Sequence, residues 1–268
     1  MQYKTSLPTS PSGHPTAEHK PTPRNLPSTP VMATNPISIG CLVFDYQAID
    51  VIGPCDLLNS CSKRLINALS FFGPVDPVAL ANAPDFVFHH IGESRDPVRL
   101  LTSALTLVPT TTVDECPELD CLIVGGPNPV NHVVPQSYVE FIQRHVAAGK
   151  LLFTICTGSA VVAATGVLDG RAATINNVEY NWVSTKFPKV QWTKEKKWVV
   201  DGNIWTGSGA VAGMDMVAHW VKERFGLAVL VQGTLSLDYE PRDRDGLFTV
   251  LPKRFDARGG LLSTHVFP

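Results

Sequence analysis

From Ile37 onward the chain alternates short, continuous apolar runs with longer stretches of helical spacing. Ile37–Phe44, Cys121–Val124 and Leu151–Ile155 are apolar at successive positions, as expected of strands covered on both faces. Phe86–Ile91 and Ala104–Val108 are strand-like from their β-branched and aromatic residues. Trp192–Thr193, Trp198–Val200 and Ile204–Thr206 read as short strands, with Asp201-Gly202 as a hairpin turn between the last two. Helices are predicted over Val51–Ser60, Pro135–Ala148, Gly158–Thr165, Val178–Lys186 and Val211–Phe225. The second of these places Val139, Ile142 and Val146 on one face, and Gly149 stops it. The last carries Met214, Val217, Ala218, Val221 and Phe225 at helical spacing, ends in Lys222 and Arg224, and stops at Gly226. Buried strands alternating with helices predict an α/β fold with a mostly parallel sheet. Ligands in such folds bind beyond the carboxyl ends of the strands, where Asp50, Gly125, Gly126 and Cys156 fall.

Residues 1–35 break the pattern. Seven prolines from Pro8 to Pro30, with Ser and Thr between them, read as a disordered tail. A second reading starts translation at Met32, and the two stand level. One arginine and many prolines do not suit a transit peptide, and the apolar core of a secretory signal is missing. Positions 36–240 are expected to form the folded domain. Residues 241–268 lack periodicity and read as a C-terminal extension, either ordered or frayed.

The 268 residues are 44% hydrophobic and 17% charged, enough for a full core. Twenty-two basic against 24 acidic residues leave no surplus that calls for nucleic acid or an anionic membrane. No apolar run reaches the roughly 18 residues of a membrane span. The six cysteines form no CxxC pair, and a chain of this length needs no disulfide staples. Reduced thiols in a cytoplasmic protein are the expectation.

The segment around Cys156 changes the picture most. Leu151–Ile155 runs into Cys156-Thr157 and then into Gly158-Ser159-Ala160. An apolar strand, one nucleophile and small residues opening a helix predict a nucleophile elbow. The thiol would stand at a helix N-terminus, which favours thiolate and is expected to lower its pKa. A buried packing cysteine explains the strand but not the small residues after it. Gly125-Gly126 follows another strand, and its backbone N–H groups could hold an oxyanion opposite the thiol. A plain turn is the competing reading. Asp50 lies between Ile49 and Val51, either as an N-cap or as an acid near the thiol. Beside a thiolate the two anions repel, so one proton would be shared between them. The histidines are scattered: His89 and His90 point to opposite faces of a strand, and His132, His145 and His219 are read as surface or core residues. The five tryptophans are read as core or dimer contacts, and Ser208 as a helix cap.

The chain resembles the ThiJ/PfpI family of the class I glutamine amidotransferase-like superfamily. The matching stretches are Ala48–Pro54, Leu122–Gly126, Ile155–Ser159, Ala163–Thr174 and Val199–Thr206 with Gly209, in order over roughly residues 36–240. The resemblance implies a flavodoxin-like three-layer sandwich, a reactive cysteine at Cys156 and a homodimer. Protease-like members carry histidine after the cysteine; here it is Thr157, and no histidine base is visible beside the thiol. The Cys-Thr pair and the Asp-x-x-Gly-Pro segment are similar to the isonitrile hydratase branch. That similarity implies a hydro-lyase with Cys156 as nucleophile, Asp50 and Thr157 assisting, and Gly126 as a backbone donor. Relatives often read Ala-Thr-Thr-His-Trp where this chain has Ala173-Thr174-Ile175-Asn176-Asn177, so the pocket differs there. Asn176 and Asn177 are candidates for binding substrate or for capping the next helix.

The expected activity is addition of water to a small-molecule electrophile, isonitrile hydration being the named case, with no cofactor or metal. Glyoxalase-like aldehyde chemistry at Cys156 is a second reading, and a non-catalytic ligand or oxidant sensor a third. No nucleic acid or membrane partner is expected, and the 28 residues from Pro241 to Pro268 are too few for a helix-turn-helix domain.

Overall fold

The computed structural model describes residues 35–246 and Arg258. The expected tail up to position 34, and the extension beyond 246 apart from Arg258, lie outside the described residues. In chain order the first elements are β1 (Ile37–Leu42), α1 (Ala48–Ser60), α2 (Lys63–Leu69), α3 (Pro77–Asn82), β2 (Phe86–Gly92), β3 (Val98–Arg99), β4 (Thr106–Leu107) and β5 (Thr111–Thr112). Then come β6 (Cys121–Val124), α4 (Gln136–Ala147), β7 (Leu151–Ile155), α5 (Gly158–Ala164), β8 (Ala172–Thr174), α6 (Tyr180–Lys186) and β9 (Gln191–Thr193). The series closes with β10 (Trp198–Asp201), β11 (Ile204–Gly207), α7 (Ala210–Phe225) and α8 (Leu227–Leu235).

The main sheet has seven strands in the order β10-β11-β7-β6-β1-β2-β5. All neighbours pair in parallel except β10 and β11, which form the hairpin that Asp201-Gly202 predicts. The middle strands β6 and β7 are buried along nearly their whole length, which accounts for their unbroken apolar sequence. Helices α1, α7 and α8 pack on one another in one layer; α4 and α5 pack over β6 and β7 in another. This is the flavodoxin-like α/β arrangement. Two glycines set the close approaches. A Cβ on Gly53 of α1 would lie 2.9 Å from Met214 Sδ of α7, and one on Gly213 would lie 2.5 Å from Ile155 Cγ1 at the end of β7.

Several expectations need correction. Ala104–Val108 is not a strand: Ser103 and Ala104 turn through positive φ, and only Thr106–Leu107 pairs, with β3. Helix α4 buries Ile142 and packs Val146 against the core as predicted, but its buried face is centred on Tyr138, Phe141 and His145 beside them. Tyr138 sets that face by donating its hydroxyl to the Val43 carbonyl at 2.7 Å. Trp192 lies on a separate parallel pair, β8 with β9. Gly209, not Ser208, caps α7. Helices α2, α3 and α8 were not expected. Beyond Gly226 (φ +95°) the chain turns straight into α8, and Asp215 on α7 then fastens the segment that follows. Asp215 accepts from the Tyr239 hydroxyl and from the Arg242 N–H at 3.0 Å.

Candidate functional site

The site is built where β6 and β7 end. The backbone of Cys156 is left-handed at φ +57°, a conformation that costs a non-glycine residue on the order of 1 kcal/mol. Its N–H donates to Gly207 of β11 at 3.0 Å, which holds the turn onto the sheet. Thr154 and Ser159 bond hydroxyl to hydroxyl at 2.6 Å across the turn. The small residues after the thiol have a physical reason. A Cβ on Gly158 would sit 2.3 Å from the Val124 carbonyl oxygen and 2.9 Å from that of Gly125. Only glycine lets α5 start this close to β6. The strand, the strained turn and the close helix together form the elbow geometry.

Asp50 reaches the same place from α1. It lies in the first turn of the helix, whose N-cap is Gln47, so the capping reading does not hold. Its carboxyl is fully buried, at 0% exposure. One oxygen accepts the Gly126 N–H at 2.9 Å and the other accepts Gln47 Nε2 at 3.3 Å. The Gly126 N–H is therefore aimed at Asp50 and is not open for an oxyanion. A Cβ on Gly126 would lie 2.3 Å from Thr157 Oγ1 and 3.0 Å from Asp50 Oδ2, so this glycine is where the acid and the elbow meet. Gly125 packs behind it, against Val51 and Tyr46. Thr157 donates its hydroxyl to the Pro127 carbonyl at 2.6 Å, tying the elbow to the loop after β6.

The loop after β8 supplies the remaining contact. Asn176 Nδ2 donates to Cys156 Sγ at 3.2 Å, while its Oδ1 accepts the Val178 N–H at 2.9 Å. One side chain thus does both things the sequence offered as alternatives. Asn177 is exposed and stands outside this group. Glu179, missed in the sequence, closes the loop at the start of α6. Its charge acts on the thiol, and its Oε2 is buried without a hydrogen-bond partner. The only signal for it was its place three residues beyond Asn176. His132 is also nearer than expected. It pairs with Asp45 at 3.0 Å and lines a water-sized cavity of about 30 Å³ with Thr157 and Ala160. A cavity of about 860 Å³ lies at the other end of the strands, lined by Ser38, Asp120 and Leu151, far from the elbow.

Charge at the site is set by burial. Burial pushes the Asp50 carboxyl from an ordinary 3.8 up to about 7, against the two bonds it accepts. Burial also raises the Cys156 thiol, which is 7% exposed, above its ordinary 9.0. The Asp50 charge adds to that rise and Glu179 adds a little more; the Asn176 amide and the Thr157 N–H oppose it. The expected lowering by the helix end is thus outweighed by burial first and by the two nearby carboxylates after it. Asp50 ionises first, and its charge then keeps the proton on sulfur. One proton between two acidic groups is what this geometry provides. Among the described residues no group of three or more His, Cys, Asp or Glu side chains could hold a metal. Among them, too, no helix is long and apolar enough to cross a membrane.

Comparison with known proteins adds independent information. The model of the DJ-1/PfpI family matches residues 65–223. The chain is 34% identical over 180 residues to an isonitrile hydratase of Pseudomonas putida, covering 66% of this chain and 75% of that protein. It is 27% identical over 205 residues to the HTH-type transcriptional regulator GbdR of Pseudomonas aeruginosa, covering 75% of this chain but only 50% of the regulator. Relatives of both kinds, an enzyme and transcriptional regulators, therefore share this sequence region. Among solved structures, a ThiJ/PfpI family protein from Pseudomonas syringae aligns with a TM-score of 0.60 at 23% identity, over 82% of this chain and 84% of that one. Drosophila melanogaster DJ-1beta aligns with a TM-score of 0.60 at 14% identity, over 76% of this chain and 98% of that one. Sequence, fold and elbow geometry agree, and the chain belongs to the DJ-1/PfpI family.

Proposed function

We propose that the protein is a cofactor-independent cysteine enzyme that adds water to a small electrophile, with an isonitrile as substrate and an N-substituted formamide as product. The observation that carries this reading is the buried acid beside the thiol: Asp50, held at about 7, with a charge that acts on Cys156 at the elbow. The 34% identity to an isonitrile hydratase supports it.

The chemistry follows from that pair. The terminal carbon of an isonitrile accepts a sulfur nucleophile and a proton on the same atom. Asp50, as carboxylate, takes the thiol proton while sulfur forms a bond to carbon, and then gives it to that carbon. The product is a thioimidate, R–N=CH–S, on Cys156. Water adds to the same carbon, with Asp50 now taking a proton from it. The carbon–sulfur bond breaks, and the two protons of the water go one to nitrogen and one to sulfur, while the former thiol proton stays on carbon. The sum is isonitrile plus water giving formamide. Asn176, which donates to sulfur, steadies the developing thiolate. Thr157 holds the elbow against the loop that carries Gly126, and Gly126 holds Asp50.

The sharing of this region with transcriptional regulators favours a second reading, ligand binding without turnover. Oxidant sensing fits less well, since a buried thiol with a raised pKa is slow to oxidise. Glyoxalase-like chemistry fits less well, since among the described residues no histidine contacts the sulfur, where Asn176 stands instead. Product mass spectrometry with a panel of alkyl and aryl isonitriles tests the proposal. A gain of one water that requires Cys156 is the expected result. Tight ligand binding without any product would support the second reading.

A further inference from the structure

The electrostatics around Cys156 are one-sided. Two carboxylates, Asp50 and Glu179, act on the thiol, and among the described residues no lysine, arginine or histidine does. Asp50 is satisfied by the protein, through the Gly126 N–H and Gln47 Nε2. Glu179 is not. Its Oε2 is buried and, among the described residues, has no hydrogen-bond donor. The loop that carries it is folded back onto the thiol by Asn176, which holds Val178 with one end of its amide and Cys156 Sγ with the other. The nearby lysines are turned elsewhere: Lys194 lies over the Tyr180 ring and Lys186 over Trp182. A buried carboxylate oxygen without a partner is costly, and a ligand that brings a donor removes that cost.

We infer that Glu179 determines substrate specificity by receiving an N–H or ammonium group on the substituent of the electrophile attacked by Cys156. The substrate class is then a small electrophile with a cationic or hydrogen-bond-donating arm. This rests on Cys156 being the reacting thiol, as proposed above. The division of labour is direct: Asp50 moves the proton, Asn176 faces the sulfur, and Glu179 takes the donor on the substrate's arm. Anionic substrates meet two carboxylates and are rejected by the same arrangement.

The test labels Cys156 with three methanethiosulfonates that differ in charge: aminoethyl (cationic), methyl (neutral) and sulfonatoethyl (anionic). In each reaction thiolate sulfur attacks the sulfenyl sulfur, a disulfide forms and methanesulfinate leaves. Peptide mass spectrometry separates Cys156 from the partly exposed Cys55 and Cys116. Rates are divided by those of a small free thiol. The expected cationic-to-anionic ratio exceeds that of the free thiol by on the order of tenfold or more. Glu179→Gln and Glu179→Ala should each reduce it severalfold, with labelling by the neutral reagent serving as the check that the site is formed. An unchanged ratio in both variants overturns the inference. A second arm compares 2-aminoethyl isocyanide with propyl isocyanide. Wild type should favour the ammonium compound through a lower KM, and Glu179→Gln should lose that preference. Equal KM values in wild type also overturn the inference. If neither isonitrile is turned over, the hydratase reading fails, while the labelling ratio still decides the role of Glu179.

Discussion

Replacing Asp50 by Asn separates the two things this acid does, since the amide keeps the shape and removes the proton chemistry. The amide oxygen can still accept the Gly126 N–H, which now bonds the carboxylate at 2.9 Å. Its NH₂ group would meet Gln47, which can turn its own amide to accept. Folding should therefore survive. The stability effect has a definite sign. An acid held at about 7 in the fold and at 3.8 when free keeps its proton in the native state where the unfolded chain has lost it. Native protein binds more protons between those values, so stability falls as pH rises from about 4 to about 7 and then levels off. The gap corresponds to about 4 kcal/mol as an upper figure. Urea unfolding at about pH 5 and about pH 8 should show wild type losing part of this amount more than Asp50→Asn. Activity should move independently. Loss of the proton carrier should lower kcat/KM for isonitrile hydration by about 10²- to 10⁴-fold. Stability curves that run parallel in wild type and variant would refute the assignment of a raised acid. Turnover within tenfold of wild type would refute Asp50 as the proton carrier, whatever the stability curves show.

Cys156→Ala should abolish formamide production while leaving the far-ultraviolet circular dichroism unchanged; residual turnover above background would remove the nucleophile from the scheme. Asn176→Ala takes away a donor that lowers the thiol's pKa, so iodoacetamide labelling of Cys156 should shift to higher pH, and an unshifted profile would show that the 3.2 Å contact does not act on sulfur. Gly158→Ala puts a methyl 2.3 Å from the Val124 carbonyl oxygen, between two backbones that cannot yield cheaply. It should cost about 1–3 kcal/mol in chemical denaturation, and a neutral result would mean that α5 is not pressed onto β6. Thr157→Val leaves the Pro127 carbonyl without its donor and should cost about 1 kcal/mol, with a larger relative effect on kcat than on KM.

The parts of the fold legible in the sequence are those fixed by short-range physics. Strands β1, β6 and β7 are apolar at successive positions because both their faces are covered, and Asp201-Gly202 can hardly be anything but a hairpin. The elbow was legible for a similar reason: an abrupt switch from large apolar residues to Gly158-Ser159-Ala160 has few other uses. What was missed depends on tertiary contact. The buried face of α4 is set by a Tyr138 hydroxyl reaching a carbonyl near the end of β1, 95 residues away in sequence. Helices α2 and α3 are seven and six residues long, too short for periodicity to show. Helix α8 lies beyond Gly226, a residue that reads locally as a stop and in the fold is a turn between two helices.

The site divides along the same line, and the division bears on mechanism. Cys156 and Asp50 stand out by local context, but whether the thiol is acidic or not is decided by groups that the fold brings from α1 and from the loop after β8. Local reasoning saw a helix N-terminus and expected thiolate. The assembled site buries the thiol and sets two carboxylates against one amide and one backbone N–H, so the resting thiol is neutral. A neutral thiol is no obstacle to adding both sulfur and hydrogen to one carbon, because that reaction needs the proton as much as the nucleophile. The competent state holds one proton between Asp50 and Cys156. It forms as the first proton leaves at about 7 and disappears when the second leaves above the ordinary thiol value of 9.0. The pH profile of kcat/KM should therefore rise through about 7 and fall only well into the alkaline range. In Asp50→Asn the acid limb should vanish, because the group that titrates there is gone. An acid limb near 7 that persists in that variant would assign it to another group and break the link between the buried acid and the reaction.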